Sequence, residues 1–395
     1  MSDFKFIHCA DLHLGSRFAG VRSKDKELAE KMVESTFESF SNIIDLAHSE
    51  KVDFIVISGD MFDSDTVTPR TRYRYAELLK EAEVPCYIVR GNHDFRTGWE
   101  DSIPLPPNAH EFGGEPETFI HNINNGGQVE LVGISFTSKH TKENLASKLT
   151  GSGNLFTIGC VHCDVDGGDD SDYAPCSLID FTGKNVDYWA LGHIHKRDIL
   201  NERPYVVYPG NPQGRNIKES GEKGVYVVTV ADNAVRNLKF VPTHAILWEN
   251  KEINITGHNL NSFLDEVLSF TEKGSVIRLT ITGKGPLNHM IRSEYDDIVK
   301  TIEHRTGSIV ESMDIRSKPE KLPVSGGNDL LSKVMEVTES VETIDRNELT
   351  DMICSTGVSR NHLLSYFEKM SDDELKNLVT DAGTSLVERF SEVSE

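Results

Sequence analysis

Five short polar blocks, each set directly after an apolar run rich in β-formers, limit the folds open to this chain more than any other feature. The blocks are Asp11-Leu12-His13, Gly59-Asp60, Gly91-Asn92-His93-Asp94, a lone His162, and Gly192-His193-Ile194-His195. The runs before them begin at Phe4, Phe54, Tyr87, Phe156 and Tyr188. Apolar runs of that length read as buried strands. The polar groups thus fall at the carboxyl ends of strands, where open α/β sheets place their sites. A G-D or G-N dipeptide alone is an ordinary turn, and a histidine at one strand end is ordinarily structural. Five such blocks in one chain point to a shared centre.

The residue types suit two divalent ions, which need charge-neutralising carboxylates and neutral imidazoles. In an extended D-x-H or H-x-H the alternate residues point to one side. Asp11 and His13 are expected to face the centre on that ground, as are His193 and His195. Asp60 is the candidate bridging carboxylate, Asn92 supplies an uncharged oxygen, and His162 adds one imidazole. The expected chemistry is two-metal phosphoester hydrolysis, with ions about 3.5–4 Å apart. His93 points away from Asn92 by alternation and is free to protonate the leaving oxygen. Asp63 is expected to accept a hydrogen bond from His93 and fix its tautomer.

At 395 residues the chain exceeds one ordinary core. The predicted fold class is α/β: a two-sheet sandwich flanked by helices, then a small α/β domain and a helical C-terminal tail. Residues 1–245 alternate strand and helix signals, with helices expected over 24–49 (Phe37, Phe40, Ile44 and Ala47 on one face) and 69–82. Strands are expected over 129–136, 156–160, 188–191, 205–208, 224–230 and 238–241. Residues 246–316 read as β-α-β-α-β, with helices at 260–270 and 287–304. Residues 317–328 are Pro-, Gly- and Ser-rich and read as a linker. Residues 329–395 read as helical, either an appendage with its own core or a docking module for a partner.

Net charge is −22, and residues 325–395 carry −9 of it. That argues against holding nucleic acid through overall charge. Local basic stretches occur at Arg70–Arg74, Lys139–Lys142, Lys196-Arg197 and around Arg215, and each alone reads as solvated surface. No segment is apolar over the roughly 20 residues a membrane span needs, and the N-terminus has no secretory pattern. A cytoplasmic protein without a membrane partner is expected. The six cysteines, Cys9, Cys86, Cys160, Cys163, Cys176 and Cys354, read as reduced thiols. Cys160-x-x-Cys163 encloses His162 and lacks the second pair a zinc site would need. The acidic run from Asp164 to Asp172 resembles a calcium loop, but its Gly is misplaced and Pro175 stands where the closing Glu belongs.

The blocks D-L-H, G-D-x-F-D, G-N-H-D, H and G-H-I-H resemble the calcineurin-like metallophosphoesterases. Within them the chain is similar to the DNA repair exonuclease branch, the SbcD-like nuclease subunits of YhaO type. The carrying features are Cys9–Gly15, Ser58–Asp63, Arg90–Asp94, Asp172–Cys176 and Tyr208–Arg215. Protein phosphatases carry Arg after the second Asp of G-D-x-x-D, where this chain has Ser64. The resemblance implies one metal on Asp11, His13, Asp60 and His195, the other on Asp60, Asn92, His162 and His193, and His93 as the catalytic histidine. It implies manganese as the preferred ion, with iron, zinc or magnesium as alternatives. It also implies DNA as substrate, an SbcC-like coiled-coil ATPase docked through the C-terminal region, and a homodimer as a further arrangement. A second histidine of the eukaryotic and archaeal nucleases is replaced here by Asp63. Three readings follow: a metal-dependent DNA exonuclease or endonuclease, a small-molecule or cyclic-nucleotide phosphodiesterase, and a DNA-end-binding scaffold.

Overall fold

A computed structural model describes residues 3–16, 26–63, 67–94, 102–123, 126–168 and 170–319, with short stretches between 346 and 383. Most of the expected linker and helical tail, with Cys354 and Ser64, lies outside the described residues. In chain order the first elements are β1 (Phe4–Cys9), α1 (Lys26–Glu50), β2 (Phe54–Ser58), α2 (Pro69–Glu81), β3 (Cys86–Val89), β4 (Ala109–Glu111), β5 (Glu117–Asn122) and β6 (Gln128–Ile134). Next come β7 (Phe156–His162), β8 (Asp164–Val165), β9 (Pro175–Cys176), β10 (Tyr188–Gly192), β11 (Asp198–Glu202), β12 (Tyr205–Tyr208), β13 (Gly224–Ala231) and β14 (Ala234–Pro242). The last are β15 (Trp248–Asn254), α3 (Leu260–Phe270), β16 (Val276–Thr282), α4 (Leu287–Ser293), α5 (Tyr295–Thr306) and β17 (Ile309–Ile315).

Two six-stranded sheets form, in the orders β14-β13-β1-β2-β3-β4 and β11-β12-β10-β7-β6-β5. β1, β2 and β3 run parallel, and so do β6, β7, β10 and β12. Their carboxyl ends therefore gather on one side of each sheet. Period-two alternation decides which face each side chain takes. Phe4, Phe6, Phe54 and Val56 join Phe156, Ile158, Cys160, Tyr188 and Ala190 in one apolar cluster drawn from both sheets. The opposite set, Ile7, Cys9, Ile55 and Ile57, packs on Phe37, Phe40, Ile44 and Ala47 of α1 and on Tyr75 and Leu79 of α2. Each such side chain contributes roughly 1.5–3 kcal/mol of burial. Thr68 caps α2 by accepting from Thr71 N at 3.2 Å, and Pro69 fills the first helical position.

Chain segments form two compact units: Met1–Ile253 with Asn261–Ile281 and Asp296–Asp314, and Asn254–Leu260 with Thr282–Tyr295 and Ile315–Glu395. In the second unit Asn288 Nδ2 donates to Ser317 O and Oγ, both at 2.8 Å. The helix expected over 287–304 is two helices, separated at Glu294 (φ −107°, ψ 32°). Ile291 and Ile298 are seven residues apart, so the apolar period runs through a one-residue break without showing it. β4, β5 and β11 were not foreseen. β4, β5 and β11 end their sheets, and β5 and β11 are half-exposed, so no continuous apolar run marks them. No helix among the described residues is long and apolar enough to cross a membrane.

Candidate metal centre

The face shared by the two sheets turns polar at the carboxyl ends of the strands. Along β7 the sequence Ile158, Cys160, His162 keeps one face, and along β2 Phe54 and Val56 lead to Ser58. His162 is thus delivered by plain alternation and is fully buried. Past the strand ends the backbone turns sharply. Asp11 (φ 55°), His13 (φ 44°), Asp60 (φ 53°) and His193 (φ 106°) all take positive φ. Non-glycine residues avoid that region, and such strain gathers at functional sites. The expectation that extended alternation aims D-x-H and H-x-H at the centre is therefore corrected: turns aim them. Backbone bonds hold the turns, with Asp11 N to Gly59 O at 2.9 Å and His13 N to Asp60 O at 3.0 Å. Gly59 has φ 92°, and a Cβ there would fall on the His162 imidazole. The Asp94 carboxylate accepts from Gly91 N (2.9 Å), Phe62 N (3.0 Å) and Met61 N (3.2 Å), pinning two of the loops together.

Two groups of close donors result. Asp11, His13 and His195 form one, and Asp11, Asp60 and His162 the other, with donor atoms in each within 4.8 Å of one another. Asn92 joins the second, its Oδ1 3.1 Å from His162 Nε2. His193 stands at the rim of these groups. Its N–H donates to the Asp11 carboxylate at 3.1 Å, and its ring lies 5.3 Å from that of His162 and 5.2 Å from Tyr173. His93 is partly exposed, with its N–H donating to Asp60 Oδ1 at 2.9 Å. All nine residues singled out in the sequence converge here, but one pairing differs. Asp63 Oδ1 accepts from His13 Nδ1 at 2.7 Å, whereas His93 Nδ1 stands 3.4 Å away. Asp63 thus orients His13 first, because the turn at His13 brings that ring closer. Asp63 Oδ2 accepts from Arg215 Nη1 at 3.0 Å.

Glu219 was not anticipated. Its Oε1 accepts from His195 Nδ1 at 2.7 Å, and its Oε2 from Asn211 Nδ2 and Arg215 N at 2.9 and 2.8 Å. It lies 24 residues past His195, so only the fold brings the two together.

The donor chemistry fits cations. His13 and His195 each give Nδ1–H to a carboxylate, which leaves lone pairs on both Nε2 atoms, and these face each other at 3.1 Å. His162 gives Nδ1–H to Ser58 O at 2.9 Å, so its Nε2 lone pair faces the Asn92 amide oxygen. Facing lone pairs in a buried site call for positive charge between them. Burial pushes His13 down to about 3 and His162 well below the usual imidazole range, so neither of these two rings supplies that charge by taking a proton. Burial also lifts Asp11 to about 6 and Asp60 well above the usual carboxylate range. Burial opposes ionisation of Asp63 and Glu219 as well, but the hydrogen bonds from His13 and His195 hold both at about 2.

The calcineurin-like phosphoesterase family model matches residues 4–197. The metallophosphoesterase YhaO of Bacillus subtilis is 35% identical over 300 residues, covering 72% of this chain and 73% of that protein. The chain belongs to the calcineurin-like phosphoesterases. It is also similar to the DNA double-strand break repair protein Mre11 of Sulfurisphaera tokodaii, 27% identical over 209 residues and 51% of each chain. The Mre11 of Saccharolobus solfataricus is 23% identical over 398 residues, 90% of this chain and 99% of that protein. The family hydrolyses phosphoesters with metal ions, and the two donor groups are this phosphoesterase's candidates for holding them.

Proposed function

We propose that this phosphoesterase is a DNA nuclease, an exonuclease or endonuclease acting in DNA repair with an SbcC-like coiled-coil ATPase. The observation that carries the hydrolytic part is the pair of facing lone-pair sets in the buried centre. The DNA part rests on similarity to repair proteins over most of the chain. In this reading Asp11, His13, Asp60 and His195 hold one ion and Asp60, Asn92, His162 and His193 the other, with manganese preferred. Bound ions supply charge for a phosphate oxygen and acidity for a water. His93 has a partly exposed ring beside the centre, its side chain 38% accessible against 27% for His195, and it delivers a proton to the leaving oxygen. Asp63 holds His13 and stands within ion-pair range of His93, so it serves both rings. Residues 246–316 act as a capping domain and 329–395 as the region that docks the ATPase, in a cytoplasmic complex that includes a homodimer.

The net charge of −22 favours a second reading, a small-molecule or cyclic-nucleotide phosphodiesterase, since a polyanion gains little from such a surface. One assay separates them. Labelled single- and double-stranded DNA and bis-p-nitrophenyl phosphate are incubated with manganese, with and without the ATPase. Metal-dependent cutting of DNA supports the nuclease. Turnover of the small ester with intact DNA in every arm refutes it.

A further inference from the structure

Arg215 reaches the centre from outside the five polar blocks. It follows Gly214, whose carbonyl accepts from Trp248 Nε1 at 2.9 Å and from Gln213 Nε2 at 2.8 Å. The Arg215 backbone N–H donates to Glu219 Oε2 at 2.8 Å. These three bonds set the main chain, and none of them uses the guanidinium. A guanidinium carries several N–H donors in a planar fork. Among the described residues Arg215 spends one of them, Nη1 on Asp63 Oδ2 at 3.0 Å. Its Nε is buried without an acceptor. Native proteins rarely leave a buried donor unpaired, and an exception calls for a reason such as a ligand that completes the set.

The neighbours select the ligand. Asp63 Oδ1 lies 2.7 Å from His13 Nδ1 and 3.4 Å from His93 Nδ1. One carboxylate thus holds the Arg215 head beside a candidate metal ligand and beside the proposed acid. The Arg215 charge acts on Asp11, His13 and His93. Asp63 and Glu219 offset part of it. Lys223 also faces Glu219 and Asp11, but its Nζ donates to His195 O at 2.8 Å. Lys139 acts on His93 from an exposed position. A partly buried guanidinium with open N–H groups suits an anion with several oxygens, and a phosphate is such an anion. We infer that Arg215 is a substrate-binding residue whose open N–H groups take a non-bridging oxygen of the phosphoester under attack. The inference rests on the hydrolytic reading of the centre with His93 as its acid, and not on DNA as the substrate. Such a contact places the ester and meets the charge that develops on its oxygens during attack.

The test titrates manganese-loaded wild type, Arg215→Gln and Arg215→Lys with inorganic phosphate by calorimetry. Turnover of bis-p-nitrophenyl phosphate is followed beside it, with phosphate as competitor. Arg215→Gln should weaken phosphate binding about 10–100-fold and lower kcat/KM by a similar factor, with manganese stoichiometry unchanged. Arg215→Lys keeps the charge and loses the fork, so it should recover part of both losses. Added guanidinium should partly restore turnover by Arg215→Ala, where an equal concentration of sodium chloride does not. Equal phosphate binding by wild type and Arg215→Gln overturns the inference. A loss of manganese that accounts for the loss of phosphate overturns it too, since Arg215 would then only brace Asp63. Arg215→Lys carries the same comparison if Arg215→Gln fails to fold. Wild type that neither binds phosphate nor cleaves the ester would refute the hydrolytic reading of the centre, and the inference with it.

Discussion

His8 offers a direct check on the buried polar layer beneath the centre. It is fully buried on β1, with Nδ1 3.0 Å from Tyr188 Oη, Nε2 3.1 Å from Leu191 O and Ser58 Oγ 3.3 Å from Nε2. Only one tautomer fits: Nε2–H donates to the Leu191 carbonyl and Nδ1 accepts from the tyrosine hydroxyl. Burial, opposed by the Leu191 bond, lowers its pKa from 6.5 to about 3. Between those values the unfolded chain binds a proton that the folded chain refuses. Stability therefore falls as pH drops through 6.5, and the loss is complete near pH 3. At 1.36 kcal/mol per unit the whole effect is about 5 kcal/mol, and the part between pH 7 and 5 is about 2 kcal/mol. His8→Gln keeps a donor and an acceptor but cannot titrate. Urea unfolding of metal-free wild type and variant at pH 7 and 5 isolates His8 from the other buried histidines. The variant should lose about 2 kcal/mol less than wild type over that interval. A difference under about 0.5 kcal/mol would refute the claim that His8 is held neutral.

His93→Ala should lower phosphodiester turnover about 10²–10⁴-fold while the protein keeps its metal, measured by initial rates beside calorimetric stoichiometry. Gly59→Ala places a side chain at φ 92° against His162, and should cost about 1–3 kcal/mol in thermal unfolding and weaken metal binding with it. Metal at 100 times its dissociation constant should stabilise the fold by about 2.7 kcal/mol, and a chelator should reverse the shift in melting temperature.

The strands that carry the centre were legible because burial on both faces leaves long apolar runs in β1, β2, β3, β7 and β10. Helix α1 was legible because Phe37, Phe40, Ile44 and Ala47 repeat at helical spacing against one sheet. β5 and β11 were not, since a strand at the edge of a sheet needs no apolar face of its own. In the centre the ligand-type residues were readable one by one, as each sits beside a strand end. What holds them was not. Asp63 was expected to orient His93, while the turn at His13 brings that ring nearer. Glu219 follows Asn216 in a single short turn and carries no local mark, so its link to His195 exists only in three dimensions. Front-line donors answer to local chain geometry, whereas the groups behind them answer to tertiary packing.

The same distinction changes what the charges mean. The basic stretches read from the sequence are largely engaged: Arg72 Nε donates to Ile103 O, Arg74 pairs with Glu34, and Lys142 lies 3.4 Å from Asp172. Arg197 stacks over Phe240 at 3.9 Å, and Lys223 Nζ donates to His195 O at 2.8 Å. These contacts hold the cations named in place, while Lys139 acts on His93 at the centre. A chain of net charge −22 gains little from counterion release along a phosphate backbone. Attraction for a phosphate must then come largely from the charges at the centre itself: Arg215, Lys139 acting near His93, and the cations that Asp11, Asp60 and the histidines hold. Affinity for a phosphodiester should accordingly follow metal occupancy closely and ionic strength weakly, the reverse of a protein that grips nucleic acid through its surface.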